Sequence, residues 1–457
     1  GDVYKRQVAD DHVGGDQRDA GAKRWLLRHD RRRQQHNQQR PPVPCAECPV
    51  PESSHRASIM APMKFSRRQM LGTVAAASAA TLWEPDAVLA RMVADVPCTA
   101  TGPIGELLGT LPLFRDRSQP QEFGVKYGGV GLDARLVTDL SKLEPNNLIT
   151  PNDLAYIRTE MPAGARDHKG PWTIEASGLL AAPTTLKLDD LLPRSRKMGP
   201  HLFECSGNAN PANFGLMSVA EWEGIPLADV VAQLKPGKEA TGVLVSGFDH
   251  IGQVSQRSIV GASWVYPLAT LDKLGAFLAV RMNGAPVPDD HGKPVRLVVP
   301  GWYGCSWIKW VNEIRLVGPE EEATSQMVEF AARTHQTEPH KFARDYAPAD
   351  IQTAATPVRV EKRKTPSGIE YRIVGIVWGG TKPVDRLQIR FTKDGAFTPF
   401  AVCPTPKTHT MWSLWEYRWK PAAPGTYDLA LEVADQSWPQ RRLKTGYYIR
   451  QVKIEEV

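Results

Sequence analysis

A chain of 457 residues exceeds one average domain and should hold two, each with a core of its own. Its apolar content of 42% permits globular packing, and 38 prolines with 37 glycines favour a loop-rich, strand-containing protein over a helical bundle. The formal charge of +6 does not mark a nucleic-acid binder: residues 91–457 hold 42 Lys/Arg against 40 Asp/Glu with no basic block, so no nucleic-acid partner is expected.

Residues 1–62 begin with Gly1 and pass through Arg31-Arg-Arg-Gln-Gln-His-Asn-Gln-Gln-Arg40, which has no apolar periodicity. Such a stretch cannot bury enough surface to offset its ordering entropy, and it is expected to be a disordered or non-native leader upstream of Met60 or Met63. Residues 63–90 read as a signal peptide: Met63-Lys-Phe-Ser-Arg-Arg-Gln-Met-Leu71, a short alanine-rich apolar run, then Ala87-Val-Leu-Ala90. The paired arginines fit a twin-arginine export signal, which implies the twin-arginine translocase as a partner and a periplasmic destination. The run is too short and too rich in alanine for a permanent anchor. Six cysteines do not make a disulfide framework in a chain this long, and Cys98, Cys305 and Cys403 are expected to be buried or free. No Cys-x-x-Cys-His occurs, so no haem is expected in this chain, and the electrons of any redox reaction must leave to another polypeptide.

Along the remaining chain, residues 91–165 read as loop-rich, and Trp172 to Leu179 alternates like a strand. A short helix is predicted from Leu186. Val219 to Leu234 shows helical spacing around Ile225, Leu227, Val230, Val231 and Leu234, with Pro226 acceptable in a first turn. Short strands are predicted at Gly242–Phe248, Phe277–Met282, Val295–Val299 and Trp310–Val317. Thr334 to Pro357 looks like a linker, and from Val358 on the pattern becomes β-branched and aromatic: Tyr371–Trp378, Leu387–Thr392, Trp412–Trp419, Tyr427–Ala434 and Tyr447–Ile454. The fold class is therefore α+β, a mixed domain over residues 91–335 followed by an all-β, immunoglobulin-like sandwich over 336–457.

Four features carry candidate chemistry. Cys205 ends a strand-like approach and precedes Ser206-Gly207-Asn208, a turn that presents sulfur outward; a free cysteine is otherwise usually a small core residue. In Arg281-Met-Asn-Gly-Ala-Pro-Val-Pro-Asp-Asp-His-Gly-Lys-Pro-Val-Arg-Leu-Val-Val-Pro-Gly301, His291 and Arg296 flank a turn and can converge on a phosphate, while a solvated strand-edge arginine is the alternative. Pro300 to Trp310 is a Gly- and Trp-rich loop whose amides, Ser306 and Lys309 can donate to an anion, or which is an aromatic corner with a snorkelling lysine. Arg158 lies within Tyr156-Ile-Arg-Thr-Glu160, either substrate-binding or merely exposed.

These segments in this order resemble the sulfite oxidase family of molybdopterin enzymes, through Cys205-Ser-Gly-Asn208, the block from Met282 to Gly301, and Ser306-Trp-Ile-Lys-Trp310. The resemblance covers about residues 145–457, including a C-terminal part similar to the family's dimerisation domain through Val377-Trp-Gly-Gly380. It implies a molybdenum–molybdopterin cofactor with Cys205 as thiolate ligand to the metal, a soft donor that serine would replace poorly. It further implies that Tyr156, Ile157, Arg158, Thr159, Glu160, Asp249, His291, Arg296, Ser306, Ile308 and Lys309 contact the cofactor, with Arg158 also holding a substrate anion. The implied reaction is oxidation of sulfite or a related sulfur compound by oxygen-atom transfer at Mo(VI), with a separate c-type cytochrome as acceptor and a homodimeric assembly.

The sequence departs from the family at two places. Ala209-Asn210 stands where sulfite oxidases commonly carry paired arginines, and Val260 stands where the family's active-site tyrosine precedes a Gly-Ala-Ser step. Losing an arginine and a phenol weakens the binding of a small dianion unless another group such as Tyr266 or Trp302 substitutes. Two further classes therefore stay open: a sulfoxide reductase using the same cofactor, and a non-catalytic, cofactor-bearing interaction protein.

Overall fold

The computed structural model describes residues 104–116, 119–120, 126–128, 134–208, 214–248, 262–435, 440–441, 443 and 448–457. The leader, the signal segment, Asn210, Asp249 and Val260 lie outside them. Everything described lies within one compact unit, Thr81–Val457.

Two five-stranded sheets organise the first part. One runs in the order Ser263–Pro267, Gly242–Gly247, Val311–Val317, Thr173–Gly178, Thr184–Lys187, antiparallel except where Val311–Val317 meets Thr173–Gly178. Val243, Leu244 and Val245 at its centre are all fully buried, as a strand covered on both faces requires. The other runs Ala285–Pro286, Phe277–Met282, Met217–Pro226, Arg196–Glu204, with Arg296–Val298 also paired to Phe277–Met282.

The predicted helix over 219–234 is half strand. Met217–Pro226 is a ten-residue strand hydrogen-bonded on both sides, and only Leu227–Gln233 is helical. Seven of those ten strand residues are buried, inward and outward alike, so the period-2 signal vanished and the helical spacing past Pro226 took over. The turn of helix near Leu186 is shorter than predicted, Leu188–Leu191, because Thr184–Lys187 pairs as an edge strand. No helix among the described residues is long and apolar enough to cross a membrane.

The C-terminal part is β-rich. A four-stranded sheet orders Glu106–Leu111, Ala354–Thr365, Gly368–Trp378, Ser413–Trp419, and a six-stranded one orders Thr398–Ala401, Arg386–Arg390, Gly425–Val433, Arg450–Ile454, Leu113–Asp116, Gln119–Pro120. Aromatic rings join the two: Phe391 stacks on Trp419 at 4.3 Å, and Phe400 meets Trp415 at 5.4 Å. Two corrections follow. Strands occur in the stretch read as loop, because Glu106–Leu111 and Leu113–Asp116 find partners more than 200 residues away. The supposed linker ends at Thr353, where the longest strand among the described residues, Ala354–Thr365, begins.

Candidate active site

Cys205 follows the last residue of the Arg196–Glu204 strand, and the chain turns at once: Asn208 N–H donates to the Cys205 carbonyl at 2.8 Å. Asn208 closes the loop, its Oδ1 accepting from Gly215 and Leu216 amides at 2.9 and 3.1 Å. The partly buried thiol accepts from Gly207 N–H at 3.3 Å. Burial raises its pKa above the usual thiol range, opposed by the Gly207 amide and by the charges of Arg158 and Arg333. A thiol in this setting loses its proton when a metal takes the sulfur.

Behind Cys205 lies a cationic pocket. Arg296, at the start of its strand, is 4% exposed, with its guanidinium among the rings of Trp222, Trp307 and Phe203 at 5.4, 5.6 and 5.8 Å. One terminal nitrogen donates to the His291 carbonyl at 2.9 Å, while the buried Nε has no hydrogen-bond partner. Among the described residues it forms no ion pair, and burial lowers its pKa to about 10. His291 beside it is equally buried; burial first, then Arg296 and Lys309, push its pKa down to about 3. The neutral ring hydrogen-bonds the Asn152 backbone, and its buried Nε2 is unpartnered. Gly292 between them has φ 110°, and a Cβ there would lie 2.9 Å from Arg296 Cβ and 3.1 Å from Lys309 Cβ.

The remaining predicted residues divide into groups that face this pocket and groups spent on holding it together. Tyr156 is buried, 5.0 Å from the Phe203 ring, and burial together with the Cys205 charge keeps its phenol protonated. It sits so close to the 303–306 turn that a Cβ on Gly304 would fall 2.6 Å from the phenol oxygen. Arg158 is part-buried near the thiol. Lys309, by contrast, donates to the Thr159 carbonyl at 2.7 Å, to Thr159 Oγ1 at 2.5 Å and to the Asp290 carbonyl at 3.1 Å. Asp290 in turn accepts from the Met161 amide at 2.8 Å, so Lys309 and Asp290 tie the Tyr156–Glu160 segment to the His291 turn. Ile157 spends both backbone groups on Leu136, the Ile308 carbonyl accepts from Leu297, and Ser306 Oγ donates to Tyr303. Tyr266 does not replace the missing phenol: it is fully buried and its hydroxyl already donates to the Ser306 carbonyl. Trp302 packs against Tyr266 at 5.9 Å in that same core.

Sequence reading missed three contributors. Arg333 reaches the electrostatic neighbourhood of Cys205 from a segment read as the edge of a linker. Tyr303 hydroxyl and His335 Nε2 lie 3.3 Å apart nearby, His335 being one of four non-glycine residues with positive φ among those described. The third is Glu204, buried with Arg441 and discussed below. Cys305 is buried and free, its thiol pushed up to about 12 by burial, whereas Cys403, expected free or buried, is disulfide-bonded.

No group of three His, Cys, Asp or Glu side chains among the described residues can hold a metal ion. One thiolate beside a buried, uncompensated guanidinium instead suits a metal carried by an anionic organic cofactor, with Arg296 Nε and His291 Nε2 as its open polar atoms. The fold and this site define a molybdopterin-binding oxidoreductase: residues 160–325 match the family model described as oxidoreductase molybdopterin binding domain. The chain resembles the sulfite oxidase family of molybdopterin-dependent oxidoreductases, whose members are enzymes. It is 28% identical to human mitochondrial sulfite oxidase over 275 residues, covering 56% of this chain and 49% of that protein. It is 26% identical to the NADPH nitrate reductase of Fusarium oxysporum over 285 residues, 56% of this chain and 31% of that one. The chain thus spans about half or less of the length of these relatives. The crystal structure of the sulfane dehydrogenase SoxCD from Paracoccus pantotrophus shares its fold, with TM-score 0.54, 16% identity, and coverage of 80% of this chain and 98% of that one.

Proposed function

We propose that the protein oxidises sulfite or a related sulfur compound in the periplasm and passes the electrons to a separate c-type cytochrome. The observation that carries the reading is the Arg296 guanidinium, buried with no acidic partner among the described residues, behind a strand-end cysteine. An isolated charge in such a place is costly unless an anion joins it, and a cofactor phosphate is the anion this family binds. Molybdopterin-bound molybdenum, when present, supplies two-electron oxygen-atom transfer.

The placement of the chain's own residues supports a role for each. Cys205 offers its sulfur to the metal once the proton leaves. Arg296 and His291 hold the cofactor's anionic and polar edge, with Tyr156 as a neutral hydroxyl donor between thiol and guanidinium. Lys309 keeps the two gripping segments in register. Arg158, with Arg333 joining it from the far side of the sequence, draws an anionic substrate toward Cys205 and fixes its orientation. Arg333 thereby supplies the second positive charge that Asn210 does not.

The Cys403 disulfide supports an oxidising compartment, in line with the paired arginines near Met63. The absence of Cys-x-x-Cys-His from the sequence supports a separate haem partner. A homodimer is supported by Leu107 and Leu108, exposed on the edge strand Glu106–Leu111, and by Ile104, exposed just before it.

The test is anaerobic addition of sulfite to molybdenum-loaded protein, followed by ferricytochrome c. Bleaching of the metal's absorption by sulfite, and its return with cytochrome, is the expected result. Bleaching by dithionite but not by sulfite would sink the substrate assignment, and reoxidation of the reduced protein by nitrate or a sulfoxide would reverse the direction of the reaction.

A further inference from the structure

The residue before the cysteine is a glutamate with no exposed surface, and everything that neutralises it is visible. Arg441 grips the Glu204 carboxylate with both terminal nitrogens, 2.8 Å to Oε1 and 2.6 Å to Oε2. Trp378 Nε1 donates to Oε2 at 2.9 Å and Asn208 Nδ2 to Oε1 at 2.9 Å. Four donors therefore fix one carboxylate. Asn208 belongs to the turn that carries Cys205, whereas Trp378 and Arg441 come from the β-rich C-terminal part. Arg441 is itself immobilised: it lies over the Tyr303 and Trp378 rings at 5.4 and 5.5 Å, donates to Tyr448 hydroxyl at 3.0 Å, and its amide bonds to the Thr353 carbonyl.

The same strand is held a second time from the same side. Leu202 N–H donates to the Thr410 carbonyl at 2.6 Å, and Thr410 Oγ1 donates to the Pro200 carbonyl at 3.1 Å. Arg196–Glu204 is the last strand of its sheet, and these contacts cover its otherwise open edge.

We infer that Glu204 is a positioning residue for the Cys205 sulfur, and that the C-terminal part, through Arg441 and Trp378, completes the active site instead of serving only as a scaffold. Successive strand residues point to opposite faces, so locking the Glu204 side chain into the C-terminal part fixes the rotation of the strand end and aims Cys205 at the opposite pocket. The Asn208 bond carries that constraint around the turn. A metal–sulfur bond is sensitive to this aim, because misplacement of a reacting group by about 1 Å costs on the order of 100-fold in rate.

The inference rests on Cys205 binding molybdenum, and the test separates the two. Wild-type holoenzyme, E204Q, the double variant E204Q/R441M that removes both charges together, and W378F are compared per molybdenum atom. The readouts are kcat, KM, the sulfur-to-molybdenum absorption band and the Mo(V) paramagnetic spectrum. The expected result is kcat lowered by about tenfold or more in E204Q and the double variant, KM unchanged within about twofold, and a shifted absorption band and paramagnetic spectrum. Unchanged spectra and kcat per metal in folded variants would show a purely structural ion pair and overturn the proposal. If E204Q and the double variant do not accumulate, W378F decides alone, since it removes one donor to Oε2 and leaves the ion pair: a band shift supports the clamp and an unshifted band overturns it. Molybdenum-loaded Cys205→Ser whose absorption and paramagnetic spectra match wild type would instead remove Cys205 as the ligand and take both readings down.

Discussion

Arg296 and Arg441 are both at least nine-tenths buried and both lie over aromatic rings; one acts electrostatically on Tyr156, which also feels Cys205, and the other on Glu204 beside that cysteine. Their surroundings differ in one respect. Arg441 faces a carboxylate through two hydrogen bonds, whereas Arg296, among the described residues, faces only a carbonyl; the buried Nε of each has no hydrogen-bond partner there. A charge neutralised from within the fold is part of the architecture; one that is not is waiting for a ligand.

That contrast predicts opposite stability effects. Arg441→Met leaves the Glu204 carboxylate buried without its counter-charge and should destabilise the cofactor-free protein by about 3–5 kcal/mol, read from its urea midpoint. Arg296→Met removes an uncompensated charge, so the cofactor-free protein should stay within about 1 kcal/mol of wild type or exceed it. The same substitution should lower molybdenum retention by about 10- to 100-fold, the worth of one or two charge-assisted hydrogen bonds. A large loss of stability in Arg296→Met would erase the distinction.

A pH series sharpens it. The folded-state pKa of His291, about 3, lies below the unfolded value near 6.5, so the unfolded chain binds the proton first. The contribution is present above about pH 6.5 and is lost as pH falls toward 3, with a slope near 1.4 kcal/mol per pH unit in the difference between wild type and His291→Gln. Loading the cofactor should flatten that difference, since an anion beside the ring offsets Arg296 and Lys309. The smallest effect is expected at the rim: Lys293 and Asp289 pair at 3.3 Å with more than half of each side chain exposed, and Lys293→Ala should change stability by less than about 1 kcal/mol.

The pocket side of this comparison was legible in the sequence and the clamp side was not. His291, Gly292 and Arg296 sit five positions apart at most, and a turn between a polar loop and an apolar strand brings them together by local geometry alone. Cys205 could be placed at a strand end for the same reason. Lys309 was read as an anion donor because its residue type allows it, but three carbonyl and hydroxyl acceptors from distant segments consume its ammonium. Glu204 and Arg441 are 237 positions apart, and nothing in either neighbourhood announces the pair. Met217–Pro226 failed for a different reason: a strand buried on both faces loses the alternation by which strands are recognised.

The edge of the Arg196–Glu204 strand has a consequence for the order in which the chain can be finished. Its second set of backbone partners includes Thr410, and the carboxylate at its end waits for Arg441. During synthesis about two hundred residues must emerge after Cys205 before that edge is covered, and a chain stopped short of Thr410 would present an open strand to its neighbours. Synthesis of the C-terminal part is thus a checkpoint in time: the cysteine's strand acquires its final setting only when the chain has been made as far as Arg441.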